Sequence, residues 1–369
     1  MLEHARPTVS IIIKAFNEER NIGPSIESAL AALEGMQGEV ILADGASTDR
    51  TVAIALEYPI KVVRLNRVQD RSCGAGAQLG FQHSSGKYVC HMDADMRLRR
   101  DYLAAAVQFL EQHAAVAGVG GLTVDHELGN LEFAQRTRRH DPDRGPGRVT
   151  RLNGSGVYRR STIVSVGYLT DRNLHGGEEL DLGARLHSRG WQLFKLDLPA
   201  VDHYGHTGSA YRLLLHRFLM RNSFGPGELF RAALGKPHFT FTLRNDRNLT
   251  FCFLVMAWWA GMAALLLVLP GVMGAIFAGL LFLLPFAAMS LRWRSLDAGI
   301  YSVAVWNALA LSFLPGFARR RHAPTSWIDS TVLKHGSRLD SPRIPRKLRG
   351  MSAVTATLPE SSEDERVRT

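Results

Sequence analysis

Two carboxylates one residue apart, Asp93 and Asp95, close the stretch Gly86-Lys87-Tyr88-Val89-Cys90-His91-Met92-Asp93-Ala94-Asp95. An apolar run that stops at paired acids must hold them in water or offer them to a cation. Hard divalent cations take oxygen ligands, commonly one or two carboxylates plus substrate phosphates, so the pair points to a metal bridging protein and diphosphate. A solvated turn carries Asp-x-Asp as well, so the surroundings decide between the two.

The elements around the pair favour the first alternative. Thr8 to Ala15 is β-branched and apolar enough for a central parallel strand, and Ile22, Ile26, Leu30 and Leu33 follow at helical spacing. Glu39 to Ala43 reads as a second strand, and the Ser/Thr/Asp cluster before Val52 as a helix N-cap. Ile60 to Leu65 is a third strand, Gly74 to His83 a Gly/Ala-rich helix, and the run ending in Asp93 a fourth strand. Strands alternating with helices predict an α/β fold whose mostly parallel sheet carries helices on both faces. Ligands bind beyond the carboxyl ends of such strands. There Asn17 and Glu18, Asp44, and Asp93 with Asp95 converge on one edge.

Further along, Arg136 to Arg151 reads as a Gly/Pro/Arg-rich loop, either a solvated excursion or a flap whose arginines meet phosphates. Asn153 to Tyr158 reads as a strand placed to line an acceptor site. The early acids Glu178, Glu179 and Asp181 suit the dipole of a helix from Leu180 to Ser188. His203 follows a strand-like Gln192 to Val201, and Tyr211 to Met220 mixes apolar and basic residues as an interfacial helix does.

In the order and spacing of Phe16-Asn17-Glu18, Ala43-Asp44-Gly45-Ala46-Ser47-Thr48-Asp49, Gly86-Lys87-Tyr88, Asp93-Ala94-Asp95, Gly177-Glu178-Glu179-Leu180-Asp181-Leu182, Arg185-Leu186, Gly190-Trp191 and His203, residues 8 to about 205 resemble the family 2 glycosyltransferases of bacterial, membrane-anchored type. The resemblance implies a GT-A fold and a nucleotide-sugar donor. By it Phe16, Glu18, Asp44 and Asp93 contact the donor, Asp44 at the base and Asp93 near the ribose and diphosphate. Asp95 binds a divalent metal, Mg2+ or Mn2+, with Asp93 assisting and His203 at the metal or diphosphate. Glu179 is the catalytic base and Glu178 supports it. Lys14 stands where many relatives have Pro, and Glu179 where Asp is more usual. The Gln-x-x-Arg-Trp string of processive relatives is absent, which favours single addition.

The apolar residues are unevenly spread. Leu249 to Leu291 contains no Asp, Glu, Lys, Arg or His, and a second charge-free run covers Ala298 to Ala318. A spanning helix needs about 20 mostly apolar residues, so the first run accommodates two spans around Pro270-Gly271. The second reads as a third span or as a helix lying in the interface. No apolar h-region follows Met1, and basic residues flank the hairpin at Lys236, Arg244, Arg247, Arg292 and Arg294. Arg319 to Arg349 carries nine Lys/Arg against two acids, so both ends belong to the cytoplasm and an even number of crossings is expected.

The domains expected are a catalytic domain at 1–210, interfacial helices at 211–247, a transmembrane region at 248–318, and a basic then acidic cytoplasmic tail at 319–369. A net charge of +10 suits anionic lipids as well as nucleic acid, and the apolar runs select membrane lipids and not nucleic acid. Cys73, Cys90 and Cys252 lack metal spacing and read as reduced thiols. Gly-x-Gly-x-x-Gly is missing after the first strand, against a dinucleotide-dependent oxidoreductase.

The function expected is inverting transfer of a sugar to a lipid-linked saccharide or polyprenyl acceptor, in cell-surface polysaccharide or glycolipid synthesis at the inner (plasma) membrane. A polyprenyl-phosphate sugar synthase of the same family and a non-catalytic membrane scaffold are the alternatives.

Overall fold

The computed structural model describes residues 8–126, 131–138, 141–205 and 208–336. Its sheet is built outward from β1 (Val9–Ala15), every residue of which except Lys14 is buried. Alternation along this strand serves two cores. Ile11 and Ile13 join Ile26 and Leu30 of α1 (Ile22–Ala32) on one face, while Ile12 joins Ala75 and Leu79 on the other. Strand β2 (Gly38–Asp44), helix α2 (Thr51–Ala55), strand β3 (Lys61–Leu65), helix α3 (Cys73–Gln82) and strand β4 (Tyr88–Asp93) complete the first half.

The strands β3, β2, β1 and β4 lie side by side and parallel, as expected. Register does the positioning, because Ala15 pairs with Asp44 and Lys14 with Asp93. The carboxyl ends of the three strands therefore meet at one edge.

Beyond β4 the sheet becomes mixed. It takes in β5 (Met96–Leu98), then, after α4 (Arg100–Gln112), β6 (Val116–Asp125). Helix α5 (Leu131–Arg138), β7 (Gly147–Val149), β8 (Val157–Arg159), α6 (Arg160–Ser165), α7 (Glu178–His187) and β9 (Gln192–His203) follow. Strand β8 runs antiparallel to both β4 and β6, while β6 and β9 are parallel.

The stretch read as a loop from Arg136 instead begins inside α5 and contains β7, with residues 139–140 outside the described set. Two of its arginines face carboxylates of the protein: Arg144 lies 2.8 Å from Asp125, and Arg151 3.7 Å from both Asp141 and Asp143. The strand expected from Asn153 begins at Val157. Asp181, read as a helix-start residue, is a buried partner of Arg185 at 2.8 Å, four residues on.

Helices α8 (Ala210–Leu219), α9 (Gly225–Ala233) and α10 (Phe239–Asn245) lead to three helices long and apolar enough to cross a membrane, α11 (Arg247–Val268), α12 (Gly271–Trp293) and α13 (Leu296–Ala318). Helices α11 and α12 form a hairpin about Pro270, with Trp258 of one donating to the Leu281 carbonyl of the other. Helix α13 is held at both ends, by α5 and α8 at its start and by α9 near its end. Near its start, Gln135 of α5 donates to the Ala298 carbonyl, and Tyr211 of α8 donates to Asp297. Near its end, Gly227 of α9 sits so close that a Cβ there would collide with the Phe313 carbonyl oxygen.

The segment after α13, expected only as a basic cytoplasmic tail, returns to the sheet. Its strand β10 (Ser330–Lys334) pairs antiparallel with β3 at the sheet edge. Residues from 337 onward lie outside the described set, as does the acidic end assigned to 359–369.

Candidate active site

At the carboxyl edge of β1, β2 and β4, two loops lock each other in place. Asn17 and Ala46 both adopt the left-handed region, with φ of 55° and 64°. Asn17 tolerates it through its short amide, whose oxygen accepts from the Thr48 N–H at 2.9 Å while its own N–H donates to Ser47 Oγ at 2.9 Å. The next N–H, of Glu18, donates to Thr51 Oγ1 at 2.8 Å. These bonds hold the start of α1 against the start of α2 and leave a cleft of about 430 Å3 facing the strand ends.

Phe16, Glu18, Asp93, Asp95, Glu178 and Glu179 all line this cleft, together with Lys14, Arg71, Cys73 and His175. Six of the residues singled out from sequence are thus brought together from positions up to 163 apart in the chain. Asp44 is the exception on the donor side. It is fully buried behind Gly45, its carboxylate accepting from the Ser47 N–H at 3.1 and 3.3 Å and facing Arg64 at 3.5 Å. Burial, only partly offset by those hydrogen bonds, raises its pKa.

The acids of the cleft differ in their partners. Lys14 Nζ lies 3.0 Å from Asp93 Oδ1 and 3.0 Å from Glu178 Oε1, bridging β4 and the first turn of α7. Burial alone would lower the Lys14 pKa, but the two carboxylates outweigh it and hold the ammonium well above its ordinary range. Asp93 is correspondingly lowered, the Lys14 charge overcoming the opposite effect of burial.

Glu179 makes no hydrogen bond or ion pair among the described residues. Burial and the neighbouring Glu178 charge raise its pKa to about 7. The preceding Gly177 adopts φ 82°, the left-handed conformation that turns the chain into α7 and delivers both glutamates to the cleft. Glu18 is likewise raised to about 7, chiefly by burial.

Asp95 presents a different environment. Its Oδ1 is buried without a hydrogen-bond partner, and its Oδ2 lies 3.4 Å from His203 Nε2. His203 is held by Asp125, whose Oδ1 is 2.8 Å from Nδ1. A histidine whose other ring nitrogen is held by a carboxylate is the usual pattern of a metal-binding imidazole, and here it stands beside Asp95, whose Oδ1 is left without a partner. No three His, Cys, Asp or Glu side chains converge on one point among the described residues. The residues present still fit Mg2+ or Mn2+, since such ions bind through one or two protein ligands and complete their shell with phosphate and water.

Sequence inspection missed Arg71, Asp125, Lys14 as a bridge, and the strap formed by residues 319–329. Arg71 stacks over the Phe16 ring with its guanidinium carbon 3.7 Å from the centroid, and nothing local marks it. The strap grips the loop before Gly176-Gly177. Arg319 donates to Glu228, which also accepts from the His175 N–H at 2.8 Å. Arg321 pairs with Asp171, and Asn173 exchanges hydrogen bonds with the His322 backbone. The basic run Arg319-Arg320-Arg321 was the available signal, but charge alone does not say which carboxylate it meets.

Comparison with known proteins follows the same lines. The sequence family "Glycosyl transferase family 2" matches residues 10–168. The protein named "Putative glycosyltransferase EpsE" of Bacillus subtilis is 31% identical over 202 residues, covering 52% of this chain and 70% of that protein. A dolichol-phosphate mannosyltransferase of Pyrococcus furiosus is 29% identical over 113 residues, covering 30% of this chain and 32% of its own length. Among solved structures, the mannosyltransferase PcManGT from Pyrobaculum calidifontis, in complex with GDP-Man and Mn2+, superposes with a TM-score of 0.55 at 20% identity, covering 84% of this chain and 88% of that one. The fold is thereby the GT-A fold.

Proposed function

Because the chain belongs to glycosyltransferase family 2, we propose that it transfers a sugar, with inversion, from a nucleotide donor to a lipid-linked acceptor in cell-surface polysaccharide or glycolipid synthesis. The observation that carries this is Glu179, an unpaired carboxylate with a pKa near 7, in one cleft with Asp93 and Asp95.

Phe16, Glu18 and Asp93 hold the nucleotide sugar, with Asp44 shaping the Gly45 loop that meets the base. Glu179 takes the proton from an acceptor hydroxyl as its oxygen bonds to the anomeric carbon. The bond from that carbon to the diphosphate breaks, and the electron pair leaves with the diphosphate. Lys14, between Glu178 and Asp93, offsets one of their two charges and so limits the negative charge that the cleft presents to the donor. A divalent cation, when bound, neutralises the leaving diphosphate as a Lewis acid, and Asp95 with His203 would hold it, Asp93 alongside.

The catalytic domain faces the cytoplasm at the inner membrane in this reading, and the α11–α12 hairpin crosses the bilayer twice. Support comes from α13, whose start contacts α5, and from β10, which pairs with β3. A chain that leaves and rejoins one domain crosses an even number of times, so α13 lies along the interface with 211–247 while 319 onward stays cytoplasmic.

Glu179→Gln is the direct test. Turnover should fall by about 10³-fold with donor binding unchanged. Retained turnover favours the second reading, a polyprenyl-phosphate sugar synthase, whose acceptor phosphate is already ionised. The relation to a dolichol-phosphate mannosyltransferase is what keeps that reading in play. A non-catalytic scaffold would keep its cellular role in Asp95→Asn, whereas the enzyme would lose it.

A further inference from the structure

A second cavity, of about 320 Å3, lies between the first turn of α7, the start of α11 and the middle of α13. Glu179 lines both it and the donor cleft, so one carboxylate stands where the two cavities meet. The walls of the second cavity divide by chemistry. Arg151 and Arg247 lie on its polar side, and Phe251 and Trp306, stacked 4.3 Å apart at 9°, form an aromatic ledge between two apolar helices.

Two further carboxylates share the wall, and both are engaged. Asp141 faces Arg151 at 3.7 Å, and Asp246 caps α11 by accepting from the Asn248 N–H at 2.8 Å. Arg247 makes no ion pair among the described residues. A soluble saccharide would not need the apolar helices that carry the aromatic ledge, and a neutral lipid would leave Arg247 without an anion.

We infer that this cavity admits the acceptor from the bilayer: a lipid whose phosphate sits between Arg151 and Arg247, whose chain runs over Phe251 and Trp306, and whose saccharide hydroxyl reaches Glu179. The inference rests on the hydroxyl-acceptor reading above. Guanidinium groups suit phosphate oxygens, and a phosphate placed there keeps the saccharide between it and the Glu179 carboxylate. Donor and acceptor then approach the same base from opposite sides, and neither has to pass the other.

Photolabelling of the full chain in detergent micelles tests this. The probe is a benzophenone-tagged isoprenyl diphosphate. Labelling should concentrate on the start of α11 and the middle of α13, and drop at least tenfold in Arg247→Glu and in Val305→Trp, which fills the cavity. Competition by undecaprenyl phosphate, or by phosphatidylglycerol, supports the site and tells which lipid class supplies the phosphate. Labelling spread evenly over the three apolar helices, or unchanged in both variants and by both competitors, overturns it. The two proposals fail separately: if Glu179→Gln keeps full transfer while labelling stays localised, the hydroxyl reading falls and the lipid site stands. If Glu179→Gln abolishes transfer while labelling is diffuse, the reverse holds.

Discussion

Lys14 Nζ lies 3.0 Å from Glu178 Oε1, joining the end of the first strand to a helix 164 residues further along the chain. The same ammonium reaches Asp93, so a single cation ties the donor side of the cleft to the acidic motif that carries the base. Lys14→Met should leave both carboxylates uncompensated and lower turnover by about 10²-fold, the loss typical of removing one preorganised charge from a reacting site. Lys14→Arg should restore part of it. Steady-state kinetics with the donor varied would show the effect, and wild-type turnover in Lys14→Met would rule the bridge out as a working part.

The pH dependence follows from Glu179. Acting as a base, it must be ionised, and its pKa is raised to about 7 by burial and by Glu178. The value of kcat/KM should therefore rise with pH to half-maximum near 7 and level off above it. Because the Lys14 charge lowers the Glu179 pKa, Lys14→Met should move that midpoint upward. A pH–rate profile flat from 5 to 9 would count against Glu179 as the base.

Metal affinity should depend on a residue outside the cleft. Asp125 orients His203 at 2.8 Å, and outer partners of this kind typically contribute 10- to 100-fold in affinity. Titration of Mn2+ in the presence of nucleoside diphosphate, followed by electron paramagnetic resonance, should show that loss in Asp125→Asn and a larger one in Asp95→Asn. Equal affinity in Asp125→Asn and wild type would remove His203 from the site. Chelation of the metal should abolish transfer, and added Mn2+ should restore it.

The strap contributes to stability as well as placement. Asp171 is 1% exposed and paired with Arg321. Removing one partner of a buried pair leaves an uncompensated charge, so Arg321→Met should cost about 3 kcal/mol of folding stability. Chemical denaturation in micelles measures this directly. Transfer should slow in the same variant, because the Asp171–His175 loop leads straight into Gly176-Gly177.

The strand ends of the first half were legible in sequence because their information is local. A β-branched run such as Ile11 to Ile13 favours a buried strand, and residues just past three such runs must share an edge if the strands are parallel. That reasoning put Asn17, Glu18, Asp44, Asp93 and Asp95 at one edge, of which Glu18, Asp93 and Asp95 line the cleft, while Phe16, Glu178 and Glu179 were singled out by the family resemblance. It read as one loop a stretch that begins inside α5 and contains β7, because Gly, Pro and Arg in a row look like a solvated loop whether or not carboxylates face the arginines.

Residue types and their spacing along the chain determined the fold class, the apolar helices and the acids available for chemistry. Tertiary structure alone decided which acid is tied and which is free. Lys14 takes Asp93 and Glu178, Ser47 and Arg64 take Asp44, and Glu179 is left open to two cavities. The physical reason is that a carboxylate's charge state and availability depend on what lies within a few ångströms of it, and those neighbours come from strands, helices and a C-terminal strap far apart in the chain.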